Sequence, residues 1–232
     1  MEALDPSAFA AEAPYRHGHG RPRILRVATR LNHDPGRHAI QMATAIRELG
    51  FETRLVSGGS GPDGDDIDPP PGVAHTYVPW LGHALRPGDD LRATVAIAGV
   101  IRRWRPDIVH SHLPKAGTLA RAVAIQAGVP VVMHTFHDRV LKDYLSALRN
   151  AAFSKIERSL AARTDALIAV APWIRDELLG AGIGRPGQWH IVATGEGCAS
   201  ELAGLYRALL NRAAVTSSVP GRTPAVSGHV PV

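Results

Sequence analysis

Short apolar runs alternate with helical patterns along the chain, and together they predict an α/β sheet. Seven runs have the length and composition of strands, in residues 23–29, 51–57, 73–79, 107–110, 130–134, 165–170 and 189–193. Between most of them, apolar residues recur at three- and four-residue spacing, as on the inward face of a helix. Helices that alternate with buried strands cover both faces of a mostly parallel sheet. The pattern therefore predicts a single doubly wound, Rossmann-like α/β sheet of about seven strands, with residues 73–79 at an edge.

Two of the predicted helices carry long apolar stripes, over residues 89–105 and 141–163. Because such a stripe normally faces the core, we expect its residues to pack against the sheet. The predicted inward residues are Leu91, Val95, Ala98, Ile101–Trp104, Leu141, Leu145, Leu148, Ala152, Ile156 and Leu160.

The ends of the chain and one internal loop differ in composition from the predicted domain, residues 23–213. Residues 1–22 show no sustained periodicity and are expected to form a flexible leader. Residues 58–72 combine glycine, proline and aspartate, as in a solvated loop. Residues 199–213 predict one amphipathic helix that packs back on the domain, and residues 214–232, rich in Pro, Ser, Thr and Gly, predict a disordered tail.

Composition excludes some classes of protein and leaves others open. The formal net charge is +5, which suits nucleic acid, anionic membrane or phosphate-bearing substrates, and equally an arginine-rich composition without functional meaning. The single cysteine, Cys198, excludes an intrachain disulfide and favours a reducing compartment. No apolar run is long enough to span a membrane, and the N-terminus does not resemble a signal peptide.

The loop after the first strand places polar residues and a glycine at a strand–helix junction. Asn32, Gly36 and His38 lie where a phosphate could approach backbone N–H groups at the start of a helix. The spacing matches neither a dinucleotide-binding Gly-x-Gly-x-x-Gly nor a P-loop. From spacing alone, an ordinary turn and a phosphate-binding turn both remain open.

A first pair of histidines lies at the end of the fourth predicted strand. His110 and His112 should share one side, because alternate strand positions point the same way. With Lys115 they could bind a metal or a substrate hydroxyl, or they could simply be polar residues at a strand end. In open α/β sheets the carboxyl ends of the strands are where ligands bind.

A second pair, His134 and His137, lies at the end of the fifth predicted strand and is followed by Arg139. A neutral imidazole can accept a proton from a sugar hydroxyl near pH 7, and an arginine can pair with phosphate. A zinc site lacks an obvious third ligand at the usual spacing. A polar site and structural histidines therefore remain equally open.

The basic side of the long helix, with Lys155 and Arg158 as members, suits either an anionic lipid surface or solvent. Nucleic acid is not expected, because aromatic residues do not interleave with the basic ones and no recognised module is present.

In the order of these segments the chain resembles the N-terminal, acceptor-binding domain of a family 4 glycosyltransferase of the GT-B fold. The resemblance is carried by residues 24–32 (ILRVATRLN), 36–38 (GRH), 105–112 (RPDIVHSH), 115–117 (KAG), 128–137 (GVPVVMHTFH), 164–171 (TDALIAVA) and 175–178 (RDEL). The resemblance implies transfer of a sugar from a nucleotide-sugar to a glycan or lipid-linked acceptor, with retention at the anomeric carbon and no metal or other cofactor.

The resemblance also implies roles for individual residues. His137 would be the catalytic histidine, hydrogen-bonded to the reacting sugar. The residues implied to bind substrate are Asn32, Gly36, His38, His110, His112, Lys115, His134 and Arg139. Two segments depart from the family pattern: the first loop reads His33-Asp34-Pro35-Gly36, and Asp138-Arg139 follow His137.

After residue 193 the family continues into a second, donor-binding domain, whereas here residues 199–213 resemble the family's final helix. We therefore expect an acceptor half without its donor domain, which pairs with a donor-domain partner or forms a homodimer. The chain alone should not catalyse transfer, since one half of the cleft supplies only part of the site. The alternative is a non-catalytic remnant or a binding module that associates with a partner glycosyltransferase. The resemblance implies a cytoplasmic protein of cell-envelope polysaccharide synthesis, peripheral to the inner face of the membrane.

Overall fold

The structure is a computed structural model that describes residues 20–31, 34–59, 69, 71–82, 84–138, 147–195 and 197–217, without the side chains of residues 34, 35, 147–150 and 217. Residues 1–19 of the predicted leader, residues 218–232 of the predicted tail and most of the predicted solvated loop lie outside this part of the chain. Residues 214–217, predicted as part of the disordered tail, instead form the last turn of the helix Cys198–Ser217. Among the described helices, none is long and apolar enough to cross a membrane.

Strands and helices alternate through the described residues, as the hydrophobic pattern predicts. The strands are β1 (Arg23–Ala28), β2 (Glu52–Ser57), β3 (Ala74–Tyr77), β4 (Ile108–His112), β5 (Val131–Phe136), β6 (Ala166–Ala169) and β7 (Trp189–Ile191). The α-helices are α1 (Asp34–Glu48), α2 (Pro87–Trp104), α3 (Pro114–Gln126), α4 (Ala147–Ala161), α5 (Pro172–Gly180) and α6 (Cys198–Ser217).

The strands form one seven-stranded sheet in the order β3-β2-β1-β4-β5-β6-β7, and every pair is parallel. The predicted doubly wound fold is therefore confirmed, with β3 at an edge. The strand order reverses at β1, which pairs with β2 on one side and β4 on the other. In open α/β sheets, ligands bind beyond the carboxyl ends of the strands at such a switch point.

Alternate residues of each strand face two different helix layers. Ile24, Ile108 and Met133 face one layer, where they pack with residues of α1 and α6 such as Ile46 and Tyr206. Burying a side chain of this size stabilises the fold by about 1.5–3 kcal/mol. The C-terminal helix thus packs back on the sheet, as predicted.

The other face of the sheet is covered by α2 and α3. Leu25, Val109 and Val132 pack there against Ile97 and Ala120. The site described below lies at the carboxyl ends of the central strands.

The inward stripe predicted for α2 is wrong at Leu91 and Val95, although Ile101 is buried as predicted. Leu91 and Val95 are 66% and 63% exposed, whereas Ala93, Ile97 and Val100 are buried against the sheet. The helix carries two apolar stripes, and the buried one includes the small residue Ala93. The spacing alone could not show which stripe is buried.

The stripe predicted for the long helix is also wrong where the structure describes it. Ile156 is 47% exposed and Ala152 is exposed, whereas Glu157 and Ala161 are fully buried. The reason is an ion pair: Glu157 binds Arg121 of α3, so the helix turns a carboxylate inward. Residues 141–146 lie outside the described part of the chain.

Candidate functional site

Four histidines converge near the point where the strand order reverses. His110 and His112 lie in the last three residues of β4, and His137 directly follows β5. His38 reaches the same place from the second turn of α1, and its ring lies 5.8 Å from that of His137. We call these residues the histidine cluster.

A buried arginine contacts the histidine cluster from the interior of the sheet. Arg26 of β1 faces the α1 and α6 layer, as His110 and His112 do, and it is fully buried. Its Nη2 atom lies 3.0 Å from His112 Nε2, and His112 Nδ1 lies 3.0 Å from His137 Nε2. A continuous chain of hydrogen bonds therefore leads from the interior of the sheet to His137 at its edge.

A second branch joins the cluster to α6. Arg26 Nη1 donates to Tyr206 Oη at 2.9 Å, and the same hydroxyl lies 2.6 Å from His110 Nδ1. The other nitrogen of His110 lies 2.7 Å from Thr135 Oγ1 on β5. The branch ties β1, β4, β5 and α6 together through polar side chains that are all buried.

The environment keeps the four imidazoles of the histidine cluster neutral. Burial, and after it the Arg26 charge, lower the pKa of His38 to about 4. Burial, followed by the His38 and Arg26 charges, lowers the pKa of His137 to about 3. Burial likewise lowers the pKa of His110 and His112 well below the ordinary 6.5. Near pH 7 these imidazoles are uncharged, and each can donate one hydrogen bond and accept another.

Arg26 is the fixed charge of the cluster. It has no carboxylate partner among the described residues, and its Nε atom is buried without a hydrogen-bond partner. A buried guanidinium without a counter-ion is costly and creates a positive potential around it. The cluster edge is therefore suited to an anionic or oxygen-rich ligand.

His134 lies on the opposite face of the sheet, so the structure does not bring it to the cluster. Its Nδ1 atom lies 2.9 Å from Ser111 Oγ, and its ring packs on Phe136 and against Gly117 of α3. Burial lowers the pKa of His134 well below 6.5. This histidine occupies a core position, which does not support the predicted contact with substrate.

The other predicted site residues have separate surroundings. Lys115, at the start of α3, pairs with Asp90 at 2.5 Å and bonds the carbonyl of Ala84, so its ammonium is engaged in packing α2 against α3. Gly36 lies where a Cβ would overlap the backbone of Arg30 and Leu31, so α1 approaches the end of β1 closely only because this residue is glycine. Asn32 and Arg139 lie outside the described residues.

Sequence reasoning missed Arg26, Thr135 and Tyr206. An arginine inside the apolar run of the first strand, with the same two-residue alternation as buried Ile24, is the signal that could have placed Arg26 in the core. Nothing local in the sequence marks Tyr206, because its role depends on how α6 docks. Within the described residues, no group of three histidine, cysteine, aspartate or glutamate side chains could hold a metal ion.

The domain that carries this cluster matches a known family. The model of the family described as "Glycosyl transferase 4-like domain" matches residues 35–195, more than half of the 232 residues. The chain belongs to this family. The match includes His38, His110, His112 and His137, so the whole histidine cluster lies inside the glycosyl transferase 4-like domain.

A curated relative of this glycosyl transferase 4-like domain is an Escherichia coli enzyme named UDP-Gal:alpha-D-GlcNAc-diphosphoundecaprenol alpha-1,3-galactosyltransferase. The two sequences are 34% identical over 87 residues, which are 38% of this chain and 22% of the enzyme. The match thus spans about a fifth of that relative's length.

Solved structures share the fold of this domain at low sequence identity. A sucrose-phosphate synthase structure from Thermosynechococcus elongatus, 16% identical, matches with a TM-score of 0.61 over 81% of this chain and 98% of that one. A glycosyltransferase from Rickettsia africae, 19% identical, matches with a TM-score of 0.56 over 76% and 44%. A UDP-GlcNAc 2-epimerase from Methanocaldococcus jannaschii, 16% identical, matches with a TM-score of 0.51 over 86% and 54%. Together with the family match, they identify an N-terminal-type GT-B domain.

Proposed function

We propose that this chain supplies the acceptor-binding half of a retaining glycosyltransferase, which moves a sugar from a nucleotide-sugar to a lipid-linked or glycan acceptor. The observation that carries the proposal is the convergence of His38, His110, His112 and His137 at the carboxyl edge of the sheet, inside the glycosyl transferase 4-like match. The edge lies at the switch point of the sheet, where α/β folds bind their ligands.

The chemistry of the cluster suits this substrate class. Sugar transfer requires that a hydroxyl of the acceptor and a diphosphate leaving group be held together, and the gain comes mainly from positioning and electrostatic stabilisation. Neutral imidazoles can hydrogen-bond sugar hydroxyls without the cost of burying more charge. The positive potential of Arg26 favours the phosphate oxygens nearby.

The proposed acceptor is a sugar linked through diphosphate to a lipid, a class that the E. coli relative's name describes. Such an acceptor lies in a membrane, so we place the protein on the cytoplasmic side of the cell envelope, peripheral to the bilayer. Lys155, Arg158 and Arg163 are exposed at the end of α4 and just after it, and they could approach anionic headgroups.

We also propose that transfer needs no metal ion and that His137 contacts the reacting sugar. Support for His137 comes from its place at the end of the hydrogen-bonded chain that starts at Arg26. Donor binding is assigned to a second, separate domain.

A transfer assay tests the proposal. The purified chain is incubated with UDP-galactose and a short-chain polyprenyl diphosphate N-acetylglucosamine, with and without a separately produced donor domain of a related enzyme. We expect no product from the chain alone, and a product of retained anomeric configuration, insensitive to EDTA, when the donor domain is added. Turnover by the pure chain would contradict the proposal that this chain supplies only the acceptor-binding half of the site. Loss of product with EDTA would contradict the proposal that transfer needs no metal ion.

A second candidate function is a binding module that associates with a partner glycosyltransferase without taking part in catalysis. It is favoured by the absence of any carboxylate hydrogen-bonded to the histidine cluster among the described residues. Acceptor binding that depends on His137, together with no transfer under any of the conditions above, would select this candidate.

A further inference from the structure

We propose that Arg26, acting through His112, fixes the tautomer of His137, so that His137 meets its ligand with Nδ1–H as a hydrogen-bond donor. The chain of hydrogen bonds that carries this inference is a property of the protein alone. Its consequence for the substrate rests on the function proposed above.

The first step is the donor-only character of arginine. A guanidinium has five N–H donors and no acceptor. Arg26 Nη2 lies 3.0 Å from His112 Nε2, and both side chains are buried. His112 Nε2 must therefore accept this bond with its lone pair, and it carries no proton.

The second step shows how the tautomer of His112 determines the hydrogen bond that it makes with His137. A neutral imidazole carries one proton, so an unprotonated Nε2 in His112 places that proton on Nδ1. His112 Nδ1 lies 3.0 Å from His137 Nε2 and donates to it. A doubly protonated His112 is excluded, because its Nε2–H would point at the Arg26 N–H group.

The third step defines what His137 offers to a ligand. Its Nε2 lone pair is used by His112, so its own proton lies on Nδ1. No described residue hydrogen-bonds to that atom, and His38 approaches the ring only by an edge contact at 5.8 Å. His137 is thus half-buried with one N–H group left for an oxygen acceptor.

The ligand chemistry follows from this donor. An N–H group binds a phosphate oxygen or the lone pair of a sugar hydroxyl, and it cannot take a proton from either. The structure therefore argues against His137 as a general base, a role that a neutral imidazole with a free lone pair would allow. The charge of Arg26 also polarises the hydrogen bonds from Arg26 through His112 to His137, and this strengthens the Nδ1–H group of His137 as a donor.

Arg26 and Tyr206 are positioning residues in this arrangement. Tyr206 Oη accepts from Arg26 Nη1 at 2.9 Å and so holds the guanidinium against His112. Burial, partly offset by Arg26, raises the pKa of Tyr206 to about 12, so its hydroxyl keeps its proton and can donate to His110 Nδ1.

Nitrogen NMR of the histidine side chains tests the inference on the full chain. Imidazole nitrogens that carry a proton and those that do not give well-separated resonances, and the spectra of the His112→Gln and His137→Gln variants assign the signals. We expect His112 and His137 to be neutral at pH 7 with the proton on Nδ1 in both. A protonated Nε2 in His137 of the wild-type protein would overturn the proposal, whatever the variants show.

Substitutions at Arg26 supply the readout that a merely structural role would not give. Arg26→Met removes the donors, and we expect His112 and His137 to become mixtures of tautomers. Arg26→Lys keeps a donor-only cation and should restore the Nδ1–H form. Arg54→Met on the neighbouring strand β2 is the matched control and should leave both rings unchanged. If His112 and His137 keep the same tautomer in a folded Arg26→Met variant, Arg26 does not fix the tautomer of His137.

Two ligand probes separate the sources of the acceptor oxygen. Inorganic pyrophosphate and free galactose are titrated separately, and the Nδ1–H resonance of His137 should shift with at least one of them. A shift with pyrophosphate alone assigns the donor to the diphosphate, and a shift with galactose alone assigns it to a sugar hydroxyl. If neither shifts it, the assignment of Nδ1–H to a ligand is wrong. The tautomer measurement needs no turnover, so its failure is distinct from failure of the proposed glycosyltransferase function.

Discussion

Tyr206 Oη lies 2.9 Å from Arg26 Nη1, although the two residues are 180 positions apart in the sequence. This bond joins the C-terminal helix α6 to the first strand, directly beneath the histidine cluster. Docking of α6 therefore does more than cover apolar surface, because it also supplies the acceptor for a buried charge.

Replacing Tyr206 with phenylalanine should destabilise the fold. The change leaves Arg26 Nη1 without an acceptor and removes the partner of His110 Nδ1, both in the buried interior. A buried polar group without a partner costs about 1–3 kcal/mol, so we expect a loss of that size in the free energy of unfolding. Urea denaturation measures it. Tyr77→Phe, at a half-exposed position, is the matched control and should change stability by no more than about 0.5 kcal/mol.

Glu157→Gln should be more damaging than its modest size suggests. Glu157 and Arg121 form a fully buried ion pair with N–O distances of 2.6 Å. Removing one partner of such a pair leaves an uncompensated charge and typically costs about 3–5 kcal/mol. The double variant Arg121→Met/Glu157→Leu should recover most of the loss. Asp176→Asn, in the exposed pair with Arg175, is the control, and an equal effect at both sites would refute this account.

Gly117→Ala should destabilise the protein although alanine favours helices. A Cβ at residue 117 would overlap the His134 ring and lie 2.8 Å from its Nδ1, which is itself held by Ser111. Overpacking of this kind costs about 1–3 kcal/mol. Gly99→Ala on α2 is the control: its Cβ would meet no atom closer than 3.6 Å, so stability should rise by about 0.5–1 kcal/mol. Thermal unfolding of both variants distinguishes the two outcomes.

The protein should lose stability as the pH falls from 7.5 to 5.5. Burial holds the pKa of His110, His112 and His134 well below 6.5 in the folded state. In the unfolded state these histidines take up protons near pH 6.5, so the unfolded state binds more protons and becomes favoured. Each such histidine lowers the free energy of unfolding by up to about 1.4 kcal/mol per pH unit.

Two carboxyl groups oppose this pH dependence. Burial raises the pKa of Asp165 and of Glu201, which favours the folded state as the pH falls. The net decrease is therefore smaller than the sum over the histidines. Urea denaturation at pH 7.5, 6.5 and 5.5 measures it, and His134→Gln should reduce the slope. A curve that is flat or that rises toward pH 5.5 would show that the histidines are not excluded from protonation.

The parallel sheet and the pairing of His110 with His112 could be predicted from the sequence because both depend on local periodicity. A buried run of four to six residues defines a strand, and two-residue alternation puts His110 and His112 on the same face. The same rule, applied with the observed strand register, separates His134 from them. Without the register, the spacing of His134 and His137 suggested one site.

The orientation of α2 and α4 could not be predicted, because each helix has more than one stripe that could face the sheet. For α2 the buried stripe contains the small Ala93 and the exposed stripe contains the larger Leu91. For α4 the choice depends on Arg121, a residue of another helix, which draws Glu157 inward. The role of Tyr206 is equally non-local, since it arises only when α6 docks beside β1.

The central claim is that the edge of the histidine cluster binds a lipid-linked sugar acceptor through His137. Isothermal titration of the chain with a short-chain polyprenyl diphosphate N-acetylglucosamine tests it most directly, with His137→Gln as the test variant and His190→Gln, on edge strand β7, as the matched control. We predict saturable binding by the wild type and the control, and binding at least about tenfold weaker in His137→Gln, as expected for loss of about 1.4 kcal/mol. Equal affinity in all three proteins, or no binding by the wild type, would contradict the account.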